Sequence, residues 1–264
     1  MEQSLYFQEV CMILLTLCLG AIVGLLLGLA GSGGSILTLP LLVYLLHMET
    51  KEAIVASLAI VGITAFSGFI QQIRQQNICI RLGLLVGVSG ILGAFAGSKI
   101  SFYLSGKIQL IIFACVMICV SFIMFLKSLN KFSISCPKEG CNMSIPSSLF
   151  LGSISGFLTG LIGIGGGFII GPALILNGLN THLAIGTSLL IITVNCVAGL
   201  TGYWGHINLP FSTILTFSAS SIIFSNLGAR WVKTIPIQKL EFFLAIFILG
   251  MGLLMILKNM GIIL

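Results

Sequence analysis

Two stretches of this 264-residue chain could hold a ligand through the backbone alone: Gly31-Ser32-Gly33-Gly34-Ser35 and Gly163-Ile164-Gly165-Gly166-Gly167. Both crowd in more glycine than a continuous helix tolerates, since each Gly costs ~1 kcal/mol against Ala in a helix interior. A helix broken there restarts with a fresh N-terminus, where free N–H donors meet the positive end of the helix dipole. Glycine lets a ligand approach those donors closely. The expected chemistry is capture of a small anion without any cationic side chain. The competing reading is that the breaks only let helices cross tightly. Ser32 and Ser35 add hydroxyls to the first break and the second has none, so the two would be chemically unequal.

A second set of polar residues lies inside apolar segments: Ser57, Thr64 and Ser67 in the first half, and Thr187, Ser188, Asn195 and Thr201 in the second. Ser57 and Thr64 are seven residues apart, as are Ser188 and Asn195, which puts each pair on one helix face. Such a face can line a substrate path or bond helix to helix at ~0.6 kcal/mol per contact. Asn195 is the strongest single candidate, because an amide offers two donors to an anion. The expected substrate-binding set is therefore the two breaks with Ser57, Thr64, Thr187, Ser188 and Asn195.

Other chemistry finds little support. The six carboxylates, Glu2, Glu9, Glu49, Glu52, Glu139 and Glu241, sit near segment ends or in loops, so no carboxylate proton relay is visible. His47, His182 and His206 also lie at segment ends and read as interfacial. There is no HExxH, no paired carboxylate and no Ser–His pairing at useful spacing. No catalytic residue, metal site or cofactor is expected. Cys136 and Cys141, in CPKEGC, would supply only two ligands, and the remaining cysteines mostly fall in apolar runs as small hydrophobes.

The elements that must position these groups belong to a membrane protein. The chain is 58% hydrophobic and 7% charged, against roughly a quarter charged in soluble domains. Its mean hydropathy is +1.20. The net charge of +6 comes from basic residues at the ends of apolar runs, which suits topology signals and lipid headgroups rather than nucleic acid. The N-terminus opens with Glu2 and Glu9 and no Lys or Arg, unlike a signal peptide, so its first apolar run is expected to be retained.

The halves repeat each other at a shift of 132 and then 131 residues. Gly20, Gly24, Gly28, Gly31, Gly33, Gly34 and Pro40 match Gly152, Gly156, Gly160, Gly163, Gly165, Gly166 and Pro172. Ala53, Ile54, Ser57 and Leu58 then match Ala184, Ile185, Ser188 and Leu189, and Thr64 matches Asn195. The glycines at every fourth position form a smooth face for close helix packing. The expected units are 1–132, a connecting loop 133–146, and 147–264. Each repeat reads as five segments, about 10–30, 34–47, 53–73, 81–104 and 107–127, then 147–163, 166–179, 183–204, 208–230 and 238–257. The second segment of each repeat is short for a crossing of ~20 residues.

Charge favours counting it as a crossing. Ten crossings put Arg74, Arg81, Lys127, Lys131, Lys138, Arg230, Lys233 and Lys239 on one face, and Lys51, Lys99, Lys107 and Lys258 on the other. The richer face should be cytoplasmic. The fold expected is all-α, with two five-segment repeats inverted across the bilayer, glycine-broken helices and the substrate at the repeat interface. Lys99 and Arg230, near matched helix ends, either snorkel to headgroups or steer anions.

At GLAGSGGSILTLPLL, GLIGIGGGFIIGPALI and AIGTSLLIITVNCVAGLTGY the sequence resembles the sulfite exporter TauE/SafE family of membrane permeases, across both halves. Ser35 departs from the pattern where the second repeat has Gly167. The resemblance implies a multi-pass inner-membrane transporter of sulfite, a sulfonate or a related small organic anion. Its partners would be that anion and the bilayer, with no nucleic acid; oligomeric state, direction and coupling ion stay open. The alternatives are a non-transporting membrane scaffold and an intramembrane enzyme.

Overall fold

A computed structural model describes residues 2–30, 35–129, 143–205, 207, 210–231 and 237–259. The described residues form ten α-helices and no strand: α1 Glu2–Ala30, α2 Ser35–Tyr44, α3 Thr50–Arg74, α4 Ile80–Ser101, α5 Gly106–Leu129, α6 Ile145–Ile162, α7 Gly167–Leu176, α8 Thr181–Tyr203, α9 Phe211–Trp231 and α10 Ile237–Asn259. Six of them, α3, α4, α5, α6, α8 and α9, contain stretches long and apolar enough to cross a membrane. Large apolar side chains such as Leu92, Phe150, Leu215 and Phe211 point outward, as a lipid solvent requires. The CPKEGC loop, His206, Lys131, Lys138 and Lys233 lie outside the described residues.

Glycine sets the closest packing. Gly152, Gly156 and Gly160 of α6 lie against the carbonyls of Val86, Gly90 and Ala94 on α4, too close for any Cβ. On the other side of the molecule, Gly20 and Gly24 of α1 meet the carbonyls of Phe217 and Ser221 on α9 in the same way. The smooth glycine faces are thus helix-crossing faces. A Gly156→Val variant is expected to lose the α4–α6 crossing and unfold at markedly lower detergent or temperature. Gly250→Ala, where an added methyl meets nothing within 4 Å, should be neutral or gain up to ~1 kcal/mol from helix propensity. Thermal unfolding of the two purified variants checks this.

The contacts also fix helix directions. Residues 86, 90 and 94 of α4 pair with 152, 156 and 160, so α4 and α6 run parallel. Cys79, Gly83 and Gly87 face Thr187, Leu190 and Val194, so α8 also runs parallel to α4. Between α3 and α8, Gly62 meets Cys196 and Gly68 meets Leu189, while Leu58 meets Gly199, an antiparallel register. Since α6 and α8 both run with α4, the chain between Ile162 and Thr181 travels back through the same depth. The ten-residue α7 covers about 15 Å of that return, and the broken stretch before it contributes the rest.

Candidate functional site

The second glycine break forms where the sequence places it. Helix α6 ends as the Gly163 N–H bonds back to Thr159 O at 2.8 Å, with Gly163 at φ +82°. Gly165 and Gly166 are also left-handed, at +75° and +67°, a conformation that only glycine adopts without cost. Gly166 serves as the N-cap of α7 without any side-chain capping bond. The first bonds into the new helix run from Ile169 and Ile170 to Gly166 O. The Gly167 and Phe168 N–H groups that open the turn therefore have no intrahelical carbonyl to meet.

This break is buried between α3 and α8. A Cβ on Gly165 would stand 2.6 Å from Val61 Cγ1 and 3.1 Å from Ile192 Cγ2. Ser57 Oγ lies 2.8 Å from both Gly163 O and Ile54 O and shares its proton between them. Ser57 of the first half thus straps the break of the second. Gly163, Ile164, Gly165, Gly166 and Gly167 are all buried, as non-helical backbone at membrane depth must be. Gly31, Ser32, Gly33 and Gly34 of the first break lie outside the described residues. Ser35 opens α2 and is fully buried.

The remaining candidates separate by what they touch. Ser188 Oγ donates to Ile185 O at 2.8 Å, satisfied within its own helix. Thr187 Oγ1 accepts the Cys79 N–H at 3.0 Å, joining α8 to α4. Thr64 Oγ1 donates to Ile60 O at 2.7 Å and reaches Ser221 Oγ at 3.4 Å. Asn195 differs from all of these. It is 0% exposed, its amide lies against Gly90 of α4, and neither Oδ1 nor Nδ2 has a hydrogen-bond partner among the described residues. The structure therefore joins Ser57 to the Gly163 break and leaves Asn195 as an unsatisfied amide, while Thr187, Ser188 and Thr64 are committed to helix contacts.

Sequence reasoning missed several groups. Thr159 Oγ1 would stand 2.6 Å from a Cβ on Gly166, and Tyr203 OH donates to Gly160 O at 2.7 Å; both flank the break. Thr38 Oγ1 of α2 is buried and has no hydrogen-bond partner among the described residues. The signal for Thr159 and Tyr203 was their spacing from the break, four residues before Gly163 and one turn past Gly199. Lys99 lies over the rings of Phe95 and Phe102, 5.5 and 5.9 Å from their centroids, which anchors it at a helix end. Among the described residues no group of His, Cys, Asp or Glu could hold a metal ion.

Broken helices within an apolar bundle occur in many secondary transporters. The family model for the sulfite exporter TauE/SafE matches residues 16–255. The chain belongs to the sulfite exporter TauE/SafE family. A "Probable membrane transporter protein" of Xylella fastidiosa is 28% identical over 229 residues, covering 86% of this chain and 87% of that protein. The "Probable membrane transporter protein YdhB" of Bacillus subtilis is 29% identical over 241 residues, 88% of this chain and 96% of its own. A "Probable membrane transporter protein" of Haemophilus influenzae is 28% identical over 265 residues, 93% and 98%. No solved structure matches the chain significantly. Together with the apolar helices, this TauE/SafE membership makes the chain a multi-pass membrane transporter.

Proposed function

We propose that this transporter moves a small anion, of the class of sulfite, a sulfonate or a related organic anion, through a site between two inverted repeats. The repeats are residues 1–132 and 147–264, joined by 133–146. Helix pairing supports this arrangement. The contacts Gly20–Phe217 and Gly24–Ser221 become Gly152–Val86 and Gly156–Gly90 when each residue is exchanged for its repeat mate. Leu58–Gly199 becomes Leu189–Gly68. The antiparallel run of α3 against α8, which are themselves mates, is what inversion requires. The eight-residue basic face is then cytoplasmic in a bacterial inner membrane.

Asn195 carries the reading of the site. Its mate, Thr64, reaches Ser221, whose own mate is Gly90. The same place in the two halves thus holds a bonded hydroxyl pair on one side and an unpartnered amide against a glycine on the other. A buried amide without partners costs ~1–3 kcal/mol, and a ligand's oxygens would repay it. The second contribution is the uncapped N-terminus of α7 within the break, whose dipole favours negative charge. Gly31, Ser32, Gly33, Gly34 and Ser35 are assigned the matching role in the first repeat by the duplication. Thr187 and Ser188 are assigned positioning roles.

The test is flux. Purified protein in liposomes should move sulfite, or one of a panel of sulfonates and small carboxylates, at least ten times faster than empty vesicles. A rate equal to empty vesicles across the whole panel would sink the anion reading.

A further inference from the structure

One cleft in the molecule touches neither break directly. It has a volume of about 590 Å³ and lies between the middle of α1 and the N-terminal ends of α3 and α9. Thr16, Met48, Glu52, Pro210, Thr213 and Thr216 are among the residues lining it. Two turns deeper the three helices close on one another, where Gly24 and Thr64 both meet Ser221. Glu52 stands two residues before Ile54, on which Gly163 packs, so the cleft reaches the depth of the second break. Lys51 and Lys99 lie at the same end of the bundle. Lys51 Nζ donates to Phe102 O at 3.4 Å, and Lys99 lies over the Phe102 ring. Their positive charge draws anions toward this face.

Two of the cleft residues have repeat mates that are more deeply covered. Thr213, partly exposed, corresponds to Leu82, which is buried, and Pro210 corresponds to Cys79, also buried. At this opposite end α4 and α8 are held together. The Cys79 N–H donates to Thr187 Oγ1, and Gly186 lies against Asn77 O with no room for a Cβ. The mates of these groups cannot make the same contacts. Pro210 has no N–H, Ala56 has no hydroxyl, and Val55 stands where the other half has Gly186. The difference between the two ends is therefore written in the side chains.

We infer that the cleft is the entrance by which the transported anion reaches the broken helices, and that the α4–α8 contact at Cys79, Gly186 and Thr187 is the closed gate of the opposite face. This rests on the inverted-repeat reading above. The conformation described is then open toward the face that carries Lys51 and Lys99.

Thr16 and Ser148 make a matched pair of reporters. They are repeat mates, both buried, and each hydroxyl bonds the carbonyl four residues before it, Met12 O and Ser144 O. Thr16→Cys and Ser148→Cys are reconstituted separately without substrate and treated with a small charged methanethiosulfonate reagent on both faces. Labelling is read by tandem mass spectrometry at the new cysteine itself, so that the exposed Cys18, two residues from Thr16, does not count. Thr16→Cys should react at least ten times faster than Ser148→Cys. Equal rates, or faster reaction at Ser148→Cys, would overturn the entrance. Adding Thr187→Val, which removes the acceptor for the Cys79 N–H, should raise labelling of Ser148→Cys several-fold; an unchanged rate would overturn the gate. Labelling needs no substrate, so it fails independently of the flux assay. Asymmetric labelling without flux would count against the anion alone, and flux with symmetric labelling against the entrance alone.

Discussion

Gly165→Leu is expected to bring anion flux in proteoliposomes down to the level of empty vesicles while leaving a folded, helical protein. Two effects combine at this position. Gly165 has φ +75°, and holding a leucine in that region costs ~1–3 kcal/mol. Its Cβ would also stand 2.6 Å from Val61 Cγ1 and 3.1 Å from Ile192 Cγ2. Overpacking of this kind costs typically ~1–3 kcal/mol. The strain can relax only if α3 and α8 part or the break unwinds, and either moves the N-terminus of α7. The glycine contacts of the α4–α6 and α1–α9 crossings are not touched. Circular dichroism and a monodisperse elution profile would verify the fold, and Gly165→Ala should show a smaller loss of flux. Wild-type flux in Gly165→Leu would remove the break from the transport path. Gly33→Leu asks the same question of the first glycine-rich stretch.

The elements were legible because membrane helices announce themselves through apolar length and bounding charge. Each of the ten segments read from the chain corresponds to a helix, with ends displaced by a few residues except at α1. That helix extends back to Glu2, through residues whose polarity marks a flank rather than a break. The short second segments became α2 and α7 because Gly31 to Ser35 and Gly163 to Gly167 stand before them. The sequence could not say which hydroxyls were already spent. Ser57, Thr64, Thr187 and Ser188 look alike in a row of letters, yet one straps Gly163, one reaches Ser221, one caps the Cys79 N–H and one bonds its own helix. That outcome depends on which residue stands opposite, and opposite positions are set by helix direction and register. Glu52 was set aside as a segment-end carboxylate for the same reason. Its place in a cleft follows from α1 and α9 meeting α3 there.

Asn195→Leu should abolish most anion flux and at the same time stabilise the protein, a pairing that separates a ligand site from a structural bond. Leucine keeps the branched heavy-atom skeleton of asparagine, with two methyls in place of Oδ1 and Nδ2, so the space against Gly90 stays filled. What disappears is a buried amide with two unpartnered atoms. Removing an unsatisfied polar group returns its desolvation cost, ~1–3 kcal/mol, and a higher unfolding temperature in detergent would record it. Flux should fall at least ten-fold, because a lost hydrogen-bonding contact worth ~1.4 kcal/mol is a factor of ten in affinity. Were Asn195 instead interhelical glue, the same substitution would lower stability by ~0.6 kcal/mol and leave flux near the parent value. Thr64→Val supplies the contrast within one molecule. Its hydroxyl has partners at Ile60 O and Ser221 Oγ, so that variant should lose stability and keep most of its transport. A protein in which Asn195→Leu is both less stable and fully active would leave the amide with no part in binding. A protein made sturdier and idle by that one change would place the anion against α8 at Asn195, where the two halves carry different chemistry at the same point of the fold.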